Sequence, residues 1–154
     1  MSRGAEFLTR IADDRRRRVE QMKLETPPHL LRKRLGSGRA GGRLERALRR
    51  GGPSQPLKLI CEVKRASPSK GVLNETLDAV SLARTFAAGG ASAISLVTEP
   101  DHFQGELAWV EQVRPLVSLP ILLKDFVMDS YQLLDAAVRG ADGVLLLAAL
   151  LSET

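Results

Sequence analysis

The chain has 154 residues, 44% hydrophobic and 27% charged, the proportions of a cored globular domain rather than a disordered tail. Cys61 is the single cysteine and cannot form an internal disulfide; no stretch approaches the ~20 apolar residues of a membrane span, and the N-terminus lacks the apolar core of a secretory signal. A cytoplasm of bacterial type is the expected setting, with no membrane partner. The net charge of +5 conceals an asymmetry: residues 1–50 hold 15 Lys/Arg against 6 Asp/Glu, and residues 51–154 hold 8 against 12. Aromatic residues make up only 4%, so the basic region lacks the stacking groups of a single-strand nucleic-acid binder, and no nucleic-acid partner is expected.

The first region reads as helix. Phe7, Leu8, Ile11, Val19 and Met22 recur at helical spacing, and Pro27-Pro28 stop the run. A second helix is expected over His29 to Leu35, closed by Gly36-Ser37-Gly38, and a third over Arg43 to Leu48, closed by Gly51-Gly52-Pro53. After Pro56 the period changes. Strands are expected at Leu57 to Val63, Ser92 to Val97, Ile121 to Lys124 and Asp142 to Leu147; helices alternate with them at Thr76 to Ala88, Glu106 to Val117 and Ser130 to Arg139. Near-continuous apolar strands separated by amphipathic helices are the pattern of βαβ units around a buried parallel sheet. Two closures fit: a doubly wound open sheet, which the length favours, or part of a (β/α)8 barrel, which typically takes about 250 residues. No G-x-G-x-x-G or G-x-x-x-x-G-K-[ST] turn follows a strand, against a nucleotide-binding version of the open sheet.

Two strands end in charge. Alternation puts Glu62 and Lys64 on one face of the first strand, at the C-terminal end where parallel α/β folds bind ligands. A solvated salt bridge at a strand tip is the plain alternative. The third strand also ends in a lysine, with Leu122, Lys124 and Phe126 on one face. In a barrel, alternate strands feed the same interior layers, so Lys64 and Lys124 can meet in one pocket. Two confined ammonium groups lower one another's pKa, toward the range where a lysine serves as a general acid near neutral pH. His29 and His102 have no metal-ligand spacing and read as loop or surface residues. The Arg15 to Arg18 run reads as a solvated helix face or cover for the barrel mouth, Trp109 as packing, and Asp125, facing away from Lys124, as a structural hydrogen-bonding group.

Four motifs carry a resemblance. Cys61-Glu62-Val63-Lys64-Arg65-Ala66-Ser67-Pro68-Ser69-Lys70-Gly71 comes first, then Gly89-Gly90-Ala91 through Ser95-Leu96-Val97-Thr98-Glu99-Pro100 with Phe103 and Gly105. Leu119-Pro120 to Lys124-Asp125-Phe126 with Asp129-Ser130-Tyr131-Gln132 follows, and then Gly140-Ala141-Asp142-Gly143 to Leu147. In this order and spacing the chain resembles the indole-3-glycerol phosphate synthase family of tryptophan biosynthesis, over nearly its whole length.

The resemblance implies an α/β fold: the N-terminal half of a TIM (β/α)8 barrel, with parallel strands one to four over residues 57–154, preceded by a helical extension over residues 1–56. It implies a carboxy-lyase that closes the ring of 1-(2-carboxyphenylamino)-1-deoxyribulose 5-phosphate with loss of carbon dioxide and water, without cofactor or metal. Lys124 would be the general acid at the ribulose carbonyl. Lys64 would steer the anthranilate carboxylate, and Glu62 would hold Lys64 and take part in dehydration. Ser67 would lie near the substrate, and Phe103 and Phe126 would flank its ring. Cys61 stands where the family usually has a small apolar residue, a replacement of little cost. The family's second catalytic glutamate, its asparagine and its phosphate loops follow the fourth strand, so a chain ending at Thr154 is expected to lack them. The alternative reading is a non-catalytic half-barrel, a fragment or an assembly module, whose open sheet edges invite self-association or pairing with a complementary half.

Overall fold

In the computed structural model, residues 3–35 and 41–151 are described. The first helix, α1 (Arg3–Glu25), is followed at once by α2 (Pro28–Leu35), which opens on a proline suited to a first helical position. The Gly36-Ser37-Gly38 stop lies outside the described residues. The third helix is α3 (Arg43–Leu48).

The first strand, β1 (Ile60–Val63), is shorter than its apolar run suggests: Leu57 is 74% exposed and precedes the ladder. An antiparallel ribbon not expected from the sequence follows, β2 (Ala66–Ser67) against β3 (Gly71–Val72). Two-residue strands carry no period to read.

The next helix, α4 (Ala79–Ala88), starts where the Asp78 side chain accepts the backbone N–H groups of Val80 and Ser81. Then come β4 (Ala93–Val97), α5 (Ala108–Val113) and β5 (Ile121–Val127), the last running beyond its expected end at Lys124. A reciprocal capping box between Asp129 and Gln132 opens α6 (Ser130–Arg139), and Gly140, at φ +107°, ends it in a conformation that favours glycine. The last strand is β6 (Gly143–Leu146).

The four long strands form one parallel sheet in the order β1-β4-β5-β6, pairing Cys61 with Ile94, Leu96 with Leu123 and Leu122 with Gly143. Each strand lies beside the next in the chain, with no reversal of direction across the sheet. A doubly wound sheet has such a reversal, so this singly wound order decides for the barrel progression.

Buried Val63, Ile94, Leu96, Ile121 and Leu123 pack with Ala83, Trp109, Val110 and Val113 of the helices. A second cluster of Val19, Leu31 and Tyr131 fixes α1 and α2 to α6, and the single proton of the Tyr131 hydroxyl is shared between the carbonyls of Met22 and Thr26, both at 3.0 Å. At the N-terminal ends of the strands α3 is pinned, with Arg43 donating to Asp142 at 3.0 Å and to the Ser118 carbonyl at 2.7 Å. Among the described residues no helix is long and apolar enough to cross a membrane.

Candidate active site

The alternation expected for β1 and β5 holds. On β5 Ile121, Leu123, Asp125 and Val127 are buried, while Leu122, Lys124 and Phe126 share the half-buried opposite face. Lys64 Nζ donates to Glu62 Oε1 at 2.7 Å and Lys124 Nζ donates to Glu62 Oε2 at 2.6 Å. The two ammonium groups therefore converge, with Glu62 bridging both rather than holding Lys64 alone. Burial pushes the Glu62 carboxyl up, but the hydrogen bonds and charges of Lys124 and Lys64 outweigh it and hold the group below its ordinary value of 4.5. A carboxylate kept ionised between two cations can orient both toward an anionic or carbonyl oxygen.

Beside Lys124 lies a small pocket of about 120 Å³, whose lining includes Val97, Phe103, Phe126 and Leu145. The Phe103 and Phe126 rings are 6.2 Å apart and tilted by 48°, a separation favourable to aromatic packing. A larger furrow of about 650 Å³ between α2 and α6 has none of the six expected site residues in its lining.

Phe103 is delivered by a loop with an unusual anchor. Glu99, 2% exposed, accepts the backbone N–H groups of Asp101 at 2.9 Å, His102 at 2.7 Å and Phe103 at 2.9 Å. The loop then folds back so closely that a Cβ on Gly105 would lie 2.1 Å from the Val97 carbonyl oxygen. Ala66 N–H donates to the Phe103 carbonyl at 3.1 Å, joining this loop to the β2–β3 ribbon that carries Ser67. Ser67 thus sits on the first loop after β1, half-buried, without a hydrogen bond to the Glu62 pair. Trp109 is buried as packing, with the Arg65 guanidinium 4.9 Å from its ring centroid.

The arginine run departs from its solvated reading at one end, at Arg15. Arg16 and Arg17 do face solvent, paired with Asp13 and Asp14. Arg18 reaches across to Asp101 at 2.6 Å, and Arg15 is buried, meeting Asp125 through Nε at 2.9 Å and a terminal nitrogen at 2.7 Å. Consecutive helical residues point in different directions, so a run of one type is split among solvent, loop and core. Asp125 has the structural role expected of it. Burial pushes its carboxyl above the usual range, against the pull of Arg15 and of hydrogen bonds from Phe126 N–H and the Thr98 hydroxyl. His29 is exposed on α2 and His102 is half-buried in the β4–α5 loop, edge-on to Phe7. Among the described residues no cluster of His, Cys, Asp and Glu is placed to hold a metal ion.

The family model of indole-3-glycerol phosphate synthase matches residues 8–154. The chain belongs to this family. A protein named indole-3-glycerol phosphate synthase from Carboxydothermus hydrogenoformans is 45% identical over 150 residues, covering 96% of this chain and 57% of the relative. The protein of the same name from Roseiflexus castenholzii is 43% identical over 153 residues, covering 96% and 56%. That from Sulfurimonas denitrificans is 52% identical over 101 residues, covering 66% and 38%. The chain spans less than two thirds of the length of these curated relatives.

Of the six positions singled out by likeness to indole-3-glycerol phosphate synthases, Glu62, Lys64 and Lys124 form one hydrogen-bonded group, and Phe103 and Phe126 share a pocket with Lys124. Glu99 and Arg15 were not singled out. Glu99 carries the same signal as Glu62, a charge at the C-terminal end of an apolar strand; Arg15 is hidden inside a charge run.

Proposed function

We propose that this chain supplies the lysine-bearing part of an indole-3-glycerol phosphate synthase site, within a barrel half at residues 57–154 that follows a helical extension at residues 1–56. The observation that carries the reading is the convergence of Lys64 and Lys124 on Glu62, next to an apolar pocket between two phenylalanine rings. In the ring closure of 1-(2-carboxyphenylamino)-1-deoxyribulose 5-phosphate, Lys124 gives its proton to the ribulose carbonyl oxygen as the aromatic carbon attacks. Lys64 faces the ring carboxylate that leaves as carbon dioxide. Glu62 keeps both cations oriented and takes part in the later loss of water. Phe103 and Phe126 hold the aromatic ring, and Ser67 lies near the substrate on the first loop. The substrate is a small phosphorylated anion.

A second reading has a specific support: among the described residues β1 and β6 each pair on one side only, which leaves both edges of the sheet open to another chain. In that reading the chain is an assembly module without turnover. Titration with indole-3-glycerol phosphate, followed by its indole fluorescence, together with turnover of the carboxyphenylamino-deoxyribulose phosphate, separates the two. The synthase reading expects saturable product binding that weakens in Lys124→Ala, and in any form that turns over, a rate loss on the order of 10² to 10⁴ for removing a general acid. Absence of both binding and turnover favours the non-catalytic half-barrel.

A further inference from the structure

The strand that presents Lys124 is irregular where it does so. Between the pairs Leu123–Val144 and Val127–Leu146, β5 advances four residues while β6 advances two. Lys124, Asp125 and Phe126 occupy that slack, without regular ladder partners on the β6 side. Irregularities of this kind re-aim side chains beside functional sites, and the freed backbone must be held by other means. Here side chains hold it. The Phe126 N–H donates to Asp125 Oδ1 at 2.7 Å, and Gln132 Nε2 donates to the Phe126 carbonyl at 3.0 Å.

Asp125 is in turn fixed from outside the sheet. Arg15 grips both its oxygens, at 2.9 and 2.7 Å, and the Thr98 hydroxyl adds a third contact at 3.1 Å. Side-chain exposures of 5% and 1% for the pair leave little room for an alternative geometry. A two-point guanidinium–carboxylate contact sets orientation as well as distance. Because Asp125 lies on the face opposite Lys124 and Phe126, any twist of the strand at Asp125 swings both neighbours.

We infer that Arg15 is a positioning residue: through Asp125 it sets the orientation of the Lys124–Phe126 stretch, so that the Lys124 ammonium reaches Glu62 and the Phe126 ring faces Phe103. The inference rests on the synthase reading for its functional meaning. The helix α1 thus acts on the proton donor through Asp125.

The test is trace acetylation of the folded chain with acetic anhydride, reading the ratio of modification at Lys124 to that at Lys64 by peptide mass spectrometry. Both lysines bond Glu62, but only Lys124 stands on the strand that Arg15 holds, so Lys64 is an internal reference. In Arg15→Met the ratio is expected to rise about threefold, the effect of loosening one partly exposed ion pair. In Arg49→Gln, which breaks an exposed arginine–carboxylate contact with Glu45 beside α3, at the N-terminal ends of the strands, the ratio is expected to stay at the wild-type value. An unchanged ratio in folded Arg15→Met, or an equal rise at both lysines, overturns the inference.

Should Arg15→Met fail to fold, the double variant Arg15→Met/Asp125→Leu leaves no buried unpaired charge and decides the matter. A ratio still raised in the folded double variant supports positioning, and a ratio restored to wild type overturns it by reducing the pair to a structural one. The ratio is read without turnover, so its failure leaves the synthase reading standing. Product binding indifferent to Lys124→Ala sinks that reading alone.

Discussion

Glu62→Gln preserves the shape of the bridging side chain and removes its charge. Two contacts, at 2.7 and 2.6 Å, then lose their anionic acceptor, and the new amide nitrogen is a donor set against an ammonium donor. Glu62 is 27% exposed at its side chain, Lys64 30% and Lys124 41%, so solvent screens both ion pairs and each contributes at most ~1 kcal/mol. Two such pairs lost give a destabilisation of at most ~2 kcal/mol near neutral pH. The sign of the pH dependence follows from the carboxyl lying below its ordinary value of 4.5 in the folded chain. The contribution is complete above that value, where the unfolded carboxyl is also ionised, and is lost as pH falls through the lower folded value. Glutamine has no proton to take up, so the gap between the two proteins narrows in acid. Urea unfolding followed through Trp109 fluorescence, at about pH 7 and again at about pH 3, measures both gaps. Equal gaps at the two values, or none at neutral pH, would refute a charge-bearing bridge.

Three further perturbations address the scaffold around the site. Gly105→Ala places a methyl group against the Val97 carbonyl, and the forced loop shift is expected to cost about 3 kcal/mol in urea unfolding, with loss of product binding as Phe103 moves. Glu99→Ala strips three backbone N–H groups of their acceptor and is expected to cost about 3 kcal/mol; faster hydrogen exchange confined to Asp101, His102 and Phe103 would identify the cause. Tyr131→Phe leaves the Met22 and Thr26 carbonyls without their hydroxyl donor, for an expected ~1 kcal/mol by thermal denaturation.

Strand alternation alone put Lys124 and Phe126 on one face, and the βα repeat located each strand, because those signals are local. What was not local was not legible. That Glu62 bonds Lys124 as well as Lys64 depends on the registers from β1 through β4 to β5. The Arg15–Asp125 contact spans 110 residues, and nothing in a run of four arginines marks the one that will be buried. The choice between open sheet and barrel progression turned on strand order, which apolar runs do not encode. The β2–β3 ribbon escaped notice because its strands are too short to show a period.

The bond from Ala66 N–H to the Phe103 carbonyl gives the rim of the site a mechanical property. It links two segments that emerge from different strands, so in the proposed reading a ring held by Phe103 meets two loops that are already joined to one another. Part of the ordering that such binding would otherwise require is thereby present before any guest arrives.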